Sequence, residues 1–279
     1  MTMPGGKTAH LKIAVVQMTS TDNLESNIQQ IWTLLKEVAE VPGVQLISFP
    51  ENCFFLRVSL KDKLDILSLN DPRILQINQW ALDHKFQIHI GAMAYREEGR
   101  VYNATVWLGR SSTPEVVYKK IHLFDVKIGE QNLMESADFA AGSEPAVIDV
   151  FGWKVALSIC YDLRFSELYL AYAKQHVDLI LIPAAFLDIT GEAHWHSLLR
   201  ARAIESQSYI VAAAQCGEHV SVSSGKSRKT FGHSLAVDPW GIVISDNSSV
   251  GPSYKVVELN KELIADVRAK IPMDKHRKL

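Results

Sequence analysis

Leu157-Ser158-Ile159-Cys160-Tyr161-Asp162-Leu163-Arg164-Phe165-Ser166-Glu167-Leu168 carries a thiol from a buried strand toward a helix. The apolar run that opens at Lys154-Val155-Ala156 has the length of a buried strand, and Leu168, Tyr169 and Tyr172 then recur at helical spacing. Cys160 therefore falls on a strand-to-helix turn. Such a turn holds a sulfur still, and free backbone N–H groups at a helix start favour a thiolate and donate to a developing oxyanion. A lone cysteine without partners reads instead as a packed thiol, because free cysteine is among the most buried residue types. The rest of the chain decides between the two.

Upstream, residues 11–17 and 44–49 are short apolar runs suited to buried strands. Between them Leu24, Ile28, Ile31, Trp32, Leu35 and Val38 mark a helix, opened by Asp22 and Glu25 as a capping box and closed near Pro42-Gly43. A second helix starts at Asp71-Pro72 with proline first, and residues 87–94 return as a strand that Glu98-Gly99 turns into 101–108. Residues 115–118 read as another strand and 121–143 as a loop, a length that is usually functional. Downstream of the thiol come a strand at 178–183, a helix at 192–207 and a strand at 209–215. The polar segment 218–229 reads as a mobile hairpin tip, ahead of strands at 234–237, 242–245 and 254–259 and a short last helix. Hairpins among alternating helices and hydrophobic strands predict an α/β fold of mixed sheets covered by helices. With no Pro- or Gly-rich linker, residues 1–279 are expected to form one domain.

Composition narrows the partners. A net charge of −2 and a pI near 6.6 give no basis for nucleic acid or an anionic membrane as partner. No run approaches the roughly 18 apolar residues of a membrane span, and residues 1–10 lack the apolar core of a signal peptide. Cytoplasmic localisation is the expectation. Cys53, Cys160 and Cys216 cannot all pair and show no CxxC spacing, so reduced thiols are expected rather than a disulfide scaffold or zinc ribbon. The sequons at Asn103 and Asn247 then carry no meaning.

Glu51, Lys120 and Cys160 each follow an apolar run, and in α/β sheets ligands bind at the carboxyl ends of strands. Spacing alone is weak evidence that the three converge. The words around them say more: Phe49-Pro50-Glu51-Asn52, then Tyr118-Lys119-Lys120-Ile121-His122-Leu123-Phe124, then Cys160 through Leu168 resemble, in order, the three signature segments of the nitrilase superfamily of carbon–nitrogen hydrolases. The likeness continues through Leu199-Arg200-Ala201-Arg202-Ala203-Ile204-Glu205, Gly232-His233-Ser234, Asp238-Pro239-Trp240-Gly241 and residues 271–277, so it covers nearly the whole chain.

The resemblance implies a four-layer αββα sandwich of two mixed β-sheets, built into a homodimer or higher homo-oligomer. It places a Cys-Glu-Lys triad on Cys160, Glu51 and Lys120 and a supporting glutamate on Glu135. It selects Lys120 over Lys119 because Ile-His follows directly. It implies no metal and no organic cofactor. The residue types suit amide hydrolysis: a thiolate attacks, a carboxylate moves the proton, and the thioester is hydrolysed by water. Lys120 and the Tyr161 backbone N–H are expected to stabilise the oxyanion. The Gln215-Cys216-Gly217 and Gly232-His233-Ser234 segments, with Ile121-His122-Leu123-Phe124, look most like deaminated-glutathione amidases, with ω-amidases close behind and N-carbamoyl amino-acid hydrolases as a further alternative. Two departures from relatives, Ser166 in place of Pro and Phe139-Ala140-Ala141-Gly142 in place of a segment ending Pro-Gly, affect the pocket rim rather than the triad.

Competing readings are weaker. Ser224-Gly225-Lys226-Ser227 lacks the P-loop's first glycine, since position 220 is Val220. Gly232-His233-Ser234-Leu235-Ala236 lacks the last glycine of a serine-hydrolase elbow, which leaves His233 as a hydrogen-bonded structural residue. Glu192, His194 and His196, or His122 with Asp125, make no recognised metal-ligand set. Cys53 and Cys216 read as packed thiols. Arg164 reads either as an ion-pair partner or as a bidentate ligand for a substrate carboxylate. A catalytically inert scaffold dimer on the same fold is the reading from a different class.

Overall fold

A computed structural model describes residues 9–58, 63–128 and 131–278. Residues 1–8, read as lacking a signal-peptide core, and Gly129-Glu130 of the expected loop lie outside the described residues. The chain runs β1 (His10–Met18), α1 (Leu24–Ala39), β2 (Leu46–Ser48), α2 (Pro72–His84), β3 (Gln87–Glu97), β4 (Arg100–Leu108) and β5 (Glu115–Lys119). A small hairpin, β6 (Asp125–Ile128) and β7 (Gln131–Met134), leads to β8 (Ala146–Val150), β9 (Trp153–Leu157), α3 (Ser166–Lys174), β10 (Leu179–Leu181) and α4 (Asp188–Ser206). The rest is β11 (Tyr209–Ala212), β12 (Ala214–Val220), β13 (Ser227–Phe231), β14 (Leu235–Val237), β15 (Val243–Asp246), β16 (Ser253–Asn260), α5 (Lys261–Lys270) and α6 (Met273–His276).

Among the described residues the first sheet is ordered β13-β12-β1-β2-β3-β4-β5, with β16 also paired to β1, and the second β15-β14-β11-β10-β9-β8. Both are mixed: β1, β2 and β3 run parallel, as do β9, β10 and β11, while the hairpins are antiparallel. The alternation of β1 sorts its side chains between two cores. Leu11, Ile13 and Val15 belong to the core built with the second sheet, which also holds Val155, Leu157 and Ile180, whereas Ala14, Val16 and Met18 belong to the core with Ile28, Ile31, Leu35, Ile74 and Ile77 of α1 and α2. Tyr169 and Tyr172 of α3 and Trp195 and Leu199 of α4 extend the inter-sheet core on its other side. The result is helix, sheet, sheet, helix, as the resemblance implied. Each of these fully buried side chains contributes about 1.5–3 kcal/mol relative to exposure.

Local chemistry departs from expectation in four places. The α1 cap is Asn23, whose side chain accepts from Ser26 N–H; Asp22 does not build a capping box. Asp22 instead accepts from Ser221 Oγ, Val222 N–H and both donors of Ser223, which ties down the turn at 221–226. The 218–229 segment is thus a hairpin whose two arms, 218–220 and 227–229, are paired strand, with the tip at 221–226 outside the ladder. Helix α4 begins at Asp188, a full turn before 192, and the 121–143 stretch contains β6, β7 and a 3₁₀ turn at Glu135–Ala137. That hairpin was hidden because each of its strands is only four residues long, too short an alternation to signal a strand.

Candidate functional site

Three strand ends meet where the two sheets face each other. Beyond β2, Phe49 N–H still bonds His89 O at 2.9 Å and Glu51 bridges Ala92, so the first sheet carries Glu51 to its edge. Gly91 makes this possible: a Cβ there would lie 2.3 Å from Phe49 O and 2.4 Å from the Pro183 Cβ. Lys120 follows β5, with its N–H on Asn103 O at 2.9 Å. Cys160 follows β9, its N–H donating to Pro183 O at 2.9 Å and its φ of 48° lying in the left-handed region. A non-glycine residue held there costs of order 1–3 kcal/mol and persists only when its surroundings fix it. Asp162 does much of the fixing. Its fully buried carboxylate accepts from Ile159 N–H at 2.9 Å, Tyr118 OH at 2.8 Å, His122 N–H at 2.9 Å and His122 Nδ1 at 2.7 Å.

The turn differs from the expected helix start. Cys160–Arg164 is a 3₁₀ turn, and α3 opens only at Ser166. The thiol is also not biased toward thiolate. Burial and then the neighbouring Glu51 carboxylate push it well above its ordinary 9.0, against the opposing pull of Lys120 and the Ala185 N–H. The resting sulfur is a protonated thiol beside a carboxylate.

That carboxylate is held on all sides. Glu51 Oε1 accepts from Lys120 Nζ at 3.1 Å and Asn103 Nδ2 at 2.9 Å, and Oε2 accepts from Ala185 N–H at 3.0 Å. Lys120, 2% exposed, also donates to both Glu135 oxygens, at 3.1 and 2.8 Å. Burial works against the ammonium, but Glu135 and Glu51 keep it well above the usual lysine range, so it stays charged. Glu135 is held in turn by Phe124 N–H at 2.7 Å and Asn103 Nδ2 at 3.0 Å. The other expected residues, Tyr161 and Arg164, line the same cleft. Arg164 donates toward His194 Nδ1 at 3.1 Å and lies over the Phe186 and Tyr161 rings.

The family model described as carbon-nitrogen hydrolase matches residues 12–269. The chain belongs to this family. A Synechocystis protein named deaminated glutathione amidase is 35% identical over 275 residues, covering 95% of this chain and 97% of that one. The mouse protein of the same name is 36% identical over 276 residues, covering 95% and 83%. Among solved structures, the Caenorhabditis elegans NitFhit protein superposes with a TM-score of 0.84 at 32% identity; 98% of this chain matches 66% of that chain. Saccharomyces cerevisiae Nit3, described as a member of branch 10 of the nitrilase superfamily, gives 0.79 at 25% identity over 97% of each chain. The protein is thus an amidase of the carbon–nitrogen hydrolase family.

This carbon–nitrogen hydrolase cleft has a cavity volume of about 120 Å³ and includes residues that the sequence did not single out, chiefly Asn103, Arg57, Phe186 and Arg228. Asn103 had a legible signal: an amide in the middle of the apolar strand 101–108, where a buried polar group needs partners. It lies 3% exposed between the two glutamates. The non-site assignments also resolve. Cys53 and Cys216 are fully buried, the former raised to about 12 by burial. His122 bonds Asp162, while His233 and His196 both bond Asp246. Of the two rim departures, Gly142 is required where it stands: its N–H donates to Lys120 O at 2.8 Å, and a Cβ would lie 2.3 Å from Lys119 O.

Proposed function

We propose that this amidase hydrolyses its substrate through a Cys160 thioester, with deaminated glutathione cleaved to α-ketoglutarate and cysteinylglycine. The observation that carries the mechanism is the hydrogen-bonded set of Glu51, Lys120, Asn103 and Glu135 lining the same cleft as Cys160. Glu51 removes the thiol proton as sulfur attacks the amide carbonyl, and returns it to the departing amine as the C–N bond breaks. Water, deprotonated by Glu51, then attacks the thioester, releasing the acid and restoring the thiol. Lys120 and the Tyr161 N–H hold the oxyanion in both steps, and Glu135 with Asn103 fixes Lys120 and Glu51 in place.

The substrate reading draws on the names of the curated relatives. Cationic Arg164 at the nucleophile suits a carboxylate-bearing amide. We place the enzyme in the cytoplasm as a homodimer, a single domain throughout. Buried free thiols suit a reducing compartment, and no helix among the described residues is long and apolar enough to cross a membrane.

A panel of kcat/KM values tests the reading. Deaminated glutathione should yield α-ketoglutarate and cysteinylglycine without ammonia, and intact-mass spectra of Glu51→Gln should show no acyl adduct on Cys160. Preference by more than roughly tenfold, about 1.4 kcal/mol, for α-ketoglutaramate would move the assignment to an ω-amidase, and for N-carbamoyl amino acids to a carbamoyl hydrolase. Absence of any Cys160-dependent amide hydrolysis would leave the scaffold reading.

A further inference from the structure

The cleft is lined by four cations, Lys120, Arg57, Arg164 and Arg228, and their partners differ. Lys120 is bound to two glutamates, and Arg57 is paired with Asp138 at 2.5 Å. Arg164 donates to His194 and lies over two aromatic faces. Among the described residues Arg228 has no carboxylate partner: its Nη2 donates to the neutral Ala185 carbonyl at 3.3 Å, and its Nε is shut off from solvent with nothing to donate to. A buried guanidinium donor left open is costly, so its persistence calls for an occupant.

Its placement is built rather than incidental. Strand alternation sends Lys229 outward to Asp188 at 3.0 Å and Arg228 inward to the cleft. The strand is pinned by Phe231 N–H on Phe186 O at 3.0 Å and by the Leu187↔Thr230 bridge. Gly191 lets α4 lie against it, since a Cβ there would be 2.3 Å from the Phe231 Cβ. Ala185 connects Arg228 to the chemistry, because its carbonyl accepts from Arg228 while its N–H donates to Glu51. Burial draws the guanidinium below its ordinary range, opposed by the charges of Glu51, Cys160 and Glu135, which places it within electrostatic reach of the reacting groups.

We infer that Arg228 is the residue that anchors the carboxylate on the acyl side of the substrate, selecting amides of dicarboxylic acids over neutral amides. Resting on the proposed amide hydrolysis, this deepens it by naming what the acyl pocket recognises. Nε and one Nη supply a fork that matches a carboxylate, and the occupant satisfies the open donor.

A matched pair of substrates tests it: the ω-amide of a 2-oxo dicarboxylic acid, and the same amide with its remaining carboxylate methyl-esterified. Steady-state kcat and KM are measured on the full-length wild type, Arg228→Gln, Arg228→Lys and Arg164→Gln, with circular dichroism to confirm folding. In Arg228→Gln the acid-over-ester ratio of kcat/KM should fall roughly 30-fold or more, mainly through KM for the acid, as expected when one partner of a shielded charge pair is removed. Arg228→Lys should recover part of the ratio, and Arg164→Gln should change it less. Equal losses on acid and ester, or a ratio governed by Arg164→Gln alone, overturn the assignment while leaving the hydrolase mechanism standing. A wild type that shows no preference for the acid overturns it together with the substrate reading.

Discussion

At the scale of single residues, neighbours hold the polar atoms around Cys160, with Asn103 Oδ1 and Arg228 Nε left open among the described residues. Cys160→Ala should abolish turnover without unfolding the protein, and a thiol alkylator should label Cys160 first, in a substrate-protectable way. Cys53 and Cys216 are both fully buried with thiols raised by burial, so protectable label on either would refute Cys160 as the nucleophile. Because the Cys160 thiol lies well above 9.0, the ultraviolet thiolate band should be absent at neutral pH and unchanged by Cys160→Ala. Glu51→Gln should reduce kcat by roughly 10²- to 10⁴-fold, since an amide cannot relay the proton. Asn103→Leu removes the shared donor of Glu51 and Glu135 and leaves both short of a partner at about 1–3 kcal/mol. Its expected signature is a roughly tenfold or larger fall in kcat with KM little changed, measured on any turned-over amide.

At the scale of elements, two buried histidines couple the first sheet to acid. His89 on β3 has its Nδ1 on Ser48 Oγ and its Nε2 without a partner, and burial lowers it from 6.5 to about 3. His219 on β12 lies between Ser20 O and Thr230 Oγ1 and is lowered to about 4, chiefly by burial. Both are neutral when folded and bind protons near 6.5 once unfolded, so the unfolded chain takes up more protons below that value. Their stability contribution is full above 6.5 and is lost as pH falls toward 4 and 3. Urea unfolding should show a stability decline on the order of 2 kcal/mol per histidine by about pH 5, and a flatter profile for His89→Phe. A pH-independent midpoint between 7 and 5 would contradict this.

At the scale of the molecule, the first sheet is assembled from both ends of the chain. β1 pairs with β16 along its whole length, from His10↔Asn260 to Gln17↔Ser253, and with β12 at Gln17↔Ala214. Removing residues 253–279 strips β1 of that partner and uncovers Leu11, Ile13 and Val15, so the truncated chain should aggregate rather than fold. In the intact protein, far-ultraviolet dichroism and tryptophan fluorescence should report coincident unfolding transitions. Two separated transitions would show that the sheets fold as independent units.

The apolar run of residues 11–17, the Asp71-Pro72 helix start and the strand-end positions of Glu51, Lys120 and Cys160 were legible from the sequence, because each rests on pattern or chemistry within a few residues. The matched signature words extended that reading to a triad and to Glu135. What the sequence could not hold was anything settled by partners far along the chain. Asp22 reads as a helix cap but is claimed by a turn 200 residues later; Asn103 reads as an idle sequon but lies between two glutamates. The Cys160 thiol was expected to lean toward thiolate, yet its charge state is set by desolvation and by Glu51 arriving from the opposite sheet. Arg228 looked like part of a polar tip until β12 and β13 paired and turned it inward. Local pattern dictates which elements form, but burial and electrostatic environment depend on which elements pack together, and only the tertiary structure decides that.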